Sequence, residues 1–184
     1  MHTPISPDDR TTLLTLARDA VAAAAAGRRL PEPAAEGVLG LRAGAFVSLH
    51  RGADLRGCIG HIGDDLPLAR VICNCAAAAA VEDPRFAPVT PAEVPELHVE
   101  ISVLAGIEPV TDVELIEVGR HGLIIEQQWH KGLLLPQVAT EHHWDRQTFL
   151  AQTCRKAGLP ADAWQHGASL SRFEAEVFGE QPRH

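Results

Sequence analysis

Leu97-His98-Val99-Glu100-Ile101-Ser102-Val103-Leu104 alternates apolar and polar side chains almost without a break. A period of two is the signature of a strand with one face on a core. Leu97, Val99, Ile101 and Val103 are assigned to that core, and His98, Glu100 and Ser102 to the opposite face. Upstream, residues 46–50 and 55–62 read as two further strands, closed into a hairpin around Arg51-Gly52-Ala53-Asp54. Downstream, residues 123–126 and 133–135 read as strands joined by Trp129-His130-Lys131-Gly132, and residues 170–178 as the last strand.

Helices punctuate these strands. Ser6-Pro7-Asp8-Asp9 opens the first, with a capping serine, a proline at the first helical position and acidic residues at the positive end. Leu13, Leu14, Leu16, Ala17 and Val21 give it an apolar stripe, and Gly27 closes it before a loop at Pro31 and Pro33. Asp64-Asp65-Leu66-Pro67 is expected to cap a second helix that runs to about Val81 and ends at Asp83-Pro84-Arg85-Phe86. Residues 89–95 form a proline-rich connector. A third helix covers residues 144–157 and stops at Gly158 and Leu159-Pro160. Helices and strands interleave without strict β-α-β repetition, which predicts an α+β fold with a mixed, largely antiparallel sheet and flanking helices.

The length of 184 residues suits one domain, or a main domain with a small annex, and 46% hydrophobic residues suffice for a core. The net charge of −8 argues against a general nucleic-acid binder, which needs a basic face for phosphates. It gives no reason to expect an anionic membrane as partner either. No window is long and charge-free enough for a membrane helix, and Met1 to Arg10 lacks the layout of a secretory leader. Cysteines at 58, 73, 75 and 154 show no disulfide-scaffold spacing, so reduced thiols in a cytoplasm are expected.

The hairpin's second strand carries the chemistry. In Leu55-Arg56-Gly57-Cys58-Ile59-Gly60, a regular strand projects Arg56 and Cys58 from one face. A fixed positive charge beside a thiol favours the thiolate, the form that attacks electrophiles. Gly57 and Gly60 leave room for another backbone or a ligand. The alternative is structural: a buried cysteine, a bulge glycine, and an arginine paired with a carboxylate.

Arg56-Gly57-Cys58-Ile59-Gly60, Pro67-Leu68 and Asp83-Pro84-Arg85-Phe86 follow one another in the order of the AMMECR-type domain family. Glu100-Ile101-Ser102-Val103-Leu104, Gly119-Arg120-His121-Gly122-Leu123 and Leu133-Leu134-Leu135-Pro136-Gln137-Val138 continue the series. Trp144-Asp145, Lys156-Ala157-Gly158-Leu159 and Trp164 end it. The chain therefore resembles that family over roughly residues 11–178. The resemblance implies two unequal subdomains with the cysteine-bearing hexamer lining the cleft between them. It also implies a setting: relatives are linked to a Memo-like protein and to a radical-SAM protein, which makes this chain similar to the A component of that system. It supplies no established reaction and no cofactor.

Beside Cys58 and Arg56, the candidate catalytic residue is His121, as base or orienting partner of a thiolate, against a plainer role in stabilising a turn. His61 is less apt, because a regular strand sends it to the face opposite Cys58. Arg85 is able to hold a carboxylate or phosphate through its bidentate fork, while Asp83 is expected to serve the turn. Glu100 and Ser102 share a strand face that either binds a ligand or is merely solvated. The Gln137 amide either reads a substrate or satisfies a loop.

Metal sites find little support. Cys73 and Cys75 diverge by about 200° around a helix, Cys154 falls on a core stripe, and His142-His143 is an exposed pair. No structural zinc spacing, phosphate loop or radical-SAM cluster motif is present. Two functions are expected from this pattern. One is an enzyme or enzyme component acting through Cys58 on a small molecule or a partner's product. The other is a non-catalytic module that docks the Memo-like or radical-SAM protein.

Overall fold

The computed structural model describes residues 4–181; the first three residues of the segment tested for a leader lie outside them. The chain divides into two compact units. One comprises Leu104–Ala175, and the other the chain up to Val103 and again from Glu176.

In the larger unit, helix α1 (Pro7–Ala25) starts as its sequence requires. The Ser6 hydroxyl accepts the Asp9 N–H, and Pro7 occupies the first turn. Gly27, at φ +65°, ends it: Gly27 and Arg28 donate back to Ala24 and Ala23, the paired bonds of a glycine C-cap. Strands β1 (Ala45–Arg51) and β2 (Asp54–His61) form the expected hairpin, and β1 also pairs antiparallel with β3 (Leu97–Pro109). The alternation of β3 is realised: Leu97, Val99, Ile101 and Val103 are buried in a core with Ala45, Val47 and Leu49.

Helix α2 (Leu68–Val81) packs into the same core through Leu68, Val71, Ile72, Cys75, Ala76, Ala79 and Ala80. Small side chains allow an unusually close approach to the sheet, since interaxial spacing follows side-chain size. A Cβ at Gly57 would lie 2.1 Å from the Ala79 carbonyl oxygen. The start of α2 differs from expectation. Pro67 holds the cap position without a side-chain bond, and its segment is fixed instead by a bridge to Arg42 and by Leu68 N–H donating to the Leu41 carbonyl.

In the smaller unit, β4 (Gly122–Gln127) pairs antiparallel with β5 (His130–Leu134) and β6 (Ser169–Gly179). The β4–β5 turn is tighter than the sequence suggested, because Gln128 takes a left-handed φ of 56° and Gln127 already faces His130. Helix α4 (Arg146–Lys156) is capped by the Asp145 side chain and closed by Gly158 at φ +76°. Gly132 admits the end of α4, with Ala157 N 2.6 Å from where a Cβ would stand. A short helix α3 (Pro136–Glu141) was not expected. Phe149, Leu150, Ile116 and Leu123 share one apolar cluster, and Ile125 packs with Cys154 in a second.

The fold is therefore α+β with antiparallel strand pairing. Among the described residues no helix is long and apolar enough to cross a membrane.

Candidate functional site

Strand β2 ends the order β2-β1-β3, so one of its edges lacks a neighbouring strand. An open edge exposes unpaired backbone groups, and at Cys58 they are covered by side chains. The Cys58 N–H donates to Asp83 Oδ2 at 3.0 Å, and Arg85 Nη2 donates to the Cys58 carbonyl at 3.4 Å. Asp83 is 5% exposed. It also accepts the Arg85 N–H at 3.1 Å and the guanidinium at 3.0 and 2.8 Å. The Arg85 side chain is the main cause that holds the Asp83 carboxyl far below its ordinary value, with the Cys58 and Arg85 amides adding to it. The pair Asp83–Arg85 thus fixes the backbone that carries the thiol.

Because the Cys58 N–H and C=O point away from β1, Cys58 and its partner Ser48 face each other as a pair without ladder bonds between them. Such pairs bring side chains closest, and the Ser48 hydroxyl donates to Cys58 Sγ at 3.1 Å. On the other side of Ser48 stands Glu100 of β3. Cys58, Ser48 and Glu100 therefore form a row across three strands, with neighbours about 5 Å apart. A parallel row contains Gly60, Phe46 and Ser102, and another Leu55, His50 and His98. Cys58, Ser48 and Glu100 are half-buried and Ser102 is buried. The structure brings Cys58, Glu100 and Ser102 onto one face and adds Ser48, which looks in the sequence like any polar position of an alternating strand.

Arg56 departs from the regular strand. The register jumps between Leu49–Gly57 and His50–Leu55, so Arg56 is the extra residue of a bulge. Its guanidinium bonds Glu93 through Nε at 3.2 Å, and Glu93 also takes Thr90 and Arg51. Arg56 Nη1 is a buried donor with no acceptor among the described residues. The charge of Arg85 couples with Cys58: the Arg85 pKa is raised chiefly by Asp83 and, to a smaller degree, by Cys58. The space beside both glycines is occupied. Ala79 fills that of Gly57, and the Phe46 ring lies 2.3 Å from where a Gly60 Cβ would stand.

The other thiols differ. Cys73 turns to the Pro31 carbonyl and Cys75 to that of Ala45. Burial pushes Cys75 up to about 12, and it raises Cys73 and Cys154 as well. His61 bonds Asp65 at 2.6 Å, and its odd spacing from Cys58 puts it on the opposite face of β2. His142 stacks on Trp144 with ring centres 4.7 Å apart. Among the described residues no three potential ligands are grouped to hold a metal ion.

His121 and Gln137 belong to the unit Leu104–Ala175. His121 Nδ1 accepts the Glu117 N–H at 2.9 Å, while the His121 N–H donates to the Glu117 carbonyl at 2.9 Å. The ring thus closes a turn, and the nitrogen through which a neutral imidazole would act as a base is already engaged. Gln137 lies half-buried in α3, where its carbonyl accepts the Thr140 hydroxyl at 2.9 Å.

Comparison with known proteins adds to this geometry. A family model described as AMMECR1 matches residues 14–178. A protein of Methanothermobacter thermautotrophicus is 43% identical over 190 residues, covering 97% of this chain and 98% of its own. A protein of Methanosarcina barkeri is 44% identical over 176 residues, covering 90% and 87%. The crystal structure of an uncharacterised protein from Pyrococcus horikoshii superposes with a TM-score of 0.85 at 40% identity, over 92% of this chain and 90% of that one.

Proposed function

The chain belongs to the AMMECR1 family, and from that premise we propose that it is a cytoplasmic enzyme, or a component of one, working through the thiolate of Cys58. Its substrate is a small electrophile, and its partners are a Memo-like and a radical-SAM protein. One observation carries the reading: the Ser48 hydroxyl donates to Cys58 Sγ at 3.1 Å on a half-buried sheet face. Hydrogen bonds to a charged acceptor are worth about 1.5–3 kcal/mol, so this donor favours the thiolate over the thiol. The Coulombic help of Arg85 is weaker, because that guanidinium already neutralises Asp83. Ser48 therefore outranks Arg85.

In this reading the Asp83–Arg85 pair fixes the strand, Ser48 stabilises the anion, and the thiolate adds to a carbonyl carbon, the C–S bond forming as the C=O π pair moves onto oxygen. Glu100 then contacts the substrate on the same face, and Ser102, only 2% exposed, supports it from the next row. Arg56 acts through Glu93 by holding the bulge. Alkylation by iodoacetamide at pH 7, mapped residue by residue with mass spectrometry, tests the proposal. Cys58 should be modified well ahead of Cys73, Cys75 and Cys154; a Cys58 no faster than these would end the nucleophile role.

A second reading is a docking module for the same partners. It is favoured by Gly57 and Gly60, whose spaces are filled by the chain's own Ala79 and Phe46. Co-purification separates the two: a module retains its partners when Cys58 is changed to Ala, and loses them when Gly60→Val displaces Phe46.

A further inference from the structure

Within the unit Leu104–Ala175, a pocket of about 250 Å³ is lined by Ala105, Gly106, Glu108, His121, Arg172, Phe173 and Glu174. Its charges are matched in pairs. Arg172 Nε bonds Glu108 at 2.7 Å, and Arg120 Nε bonds Glu174 at 2.8 Å. His121 is different. Only 5% of it is exposed, and its Nδ1 is committed to the Glu117 amide. Burial, and then the charges of Arg172 and Arg120, lower its pKa, so the ring is neutral at pH 7. With Nδ1 accepting, the single ring proton resides on Nε2. Among the described residues no acceptor is found for that N–H, which keeps access to solvent at the pocket that His121 lines, since Arg56 Nη1 is the one fully buried side-chain donor among them without a partner.

We propose that this pocket is a binding site for a carbonyl oxygen of a small neutral molecule, with the His121 Nε2–H as its donor. The site stands apart from the proposal for Cys58 and does not require it. A neutral acceptor fits because Arg172 is already paired with Glu108 and Arg120 with Glu174, which leaves no cation free to balance a carboxylate. Ala105 and Phe173 offer the apolar wall that a short carbon chain needs, while the fixed tautomer ensures that the donor needs no rearrangement before binding.

The test is imidazole ¹⁵N NMR on the full-length, labelled protein. Nε2 of His121 should carry the proton, and its resonance should shift saturably with acetamide at concentrations on the order of 10 mM, as suits so small a probe. Acetate should leave it in place. Ala105→Leu, which adds bulk to the pocket wall without touching the Glu117 turn, should abolish the acetamide shift and keep the tautomer. A proton on Nδ1 overturns the proposal. So does an acetamide titration without effect, as expected of a pocket that holds water alone. An equal response to acetate also overturns it and makes the pocket an anion site.

Discussion

Removing the Asp83 carboxylate should weaken the fold and free the edge of β2 together. In Asp83→Ala, three donors lose their acceptor: the amides of Cys58 and Arg85, and the Arg85 guanidinium. Breaking a fully buried ion pair costs about 3–5 kcal/mol. The Asp83 side chain is only 2% exposed, but that of Arg85 is 53% exposed and can regain water, which lowers the figure. A loss of about 2–3 kcal/mol is expected, or roughly 5–10 °C in Tm for a chain of this size.

Acid titration gives the sign. The folded carboxyl titrates below its ordinary value of 3.8, so its contribution is complete above that pH and fades as pH falls through the folded value. The stability gap between wild type and Asp83→Ala should be constant at neutral pH and narrow only below about pH 4. Urea denaturation followed by circular dichroism reads the gap, and hydrogen exchange reads the Cys58 amide, which should lose protection in the variant. A gap under about 0.5 kcal/mol, or a Cys58 amide still protected, would refute the claim that this pair seals the edge.

Other outcomes follow from the same contacts. Gly57→Ala should cost roughly 2–3 kcal/mol through overpacking, because the Ala79 backbone stands where the methyl would go. Gly52→Ala, where nothing crowds the site but φ is +62°, should cost only about 1 kcal/mol by the same denaturation assay. Arg18→Met should cost about 2–4 kcal/mol in guanidinium unfolding, since Arg18 holds Glu180 at 2.6 Å and the carbonyls of Val94 and Leu97 at 3.1 and 2.6 Å. Cys75, pushed up to about 12, should resist alkylation in the native protein up to pH 9 and react only on unfolding.

Local signals were legible in the sequence. Ser6 capping α1, Gly27 and Gly158 ending helices, and the alternation of β3 each depend on a few adjacent residues, and each is found as expected. Features that depend on pairing were not. The bulge at Arg56 exists only in the register of β2 against β1, so the face shared by Arg56 and Cys58 was drawn for a regular strand. Ser48 gains its role solely because it lies opposite Cys58. Asp65 resembles a helix cap, yet His61 claims it and Pro67 takes the cap position. Helix α3 is six residues long, too short for a helical period to register.

The pH dependence of Cys58 alkylation, measured on wild type and on Ser48→Ala, tests the central claim most directly. If the hydroxyl stabilises the thiolate, wild-type Cys58 reacts at neutral pH and Ser48→Ala slows it by about tenfold or more, the kinetic counterpart of losing one hydrogen bond to a charged acceptor worth about 1.5–3 kcal/mol. Equal rates in the two proteins, or a Cys58 that reacts only once the fold is lost, would contradict it.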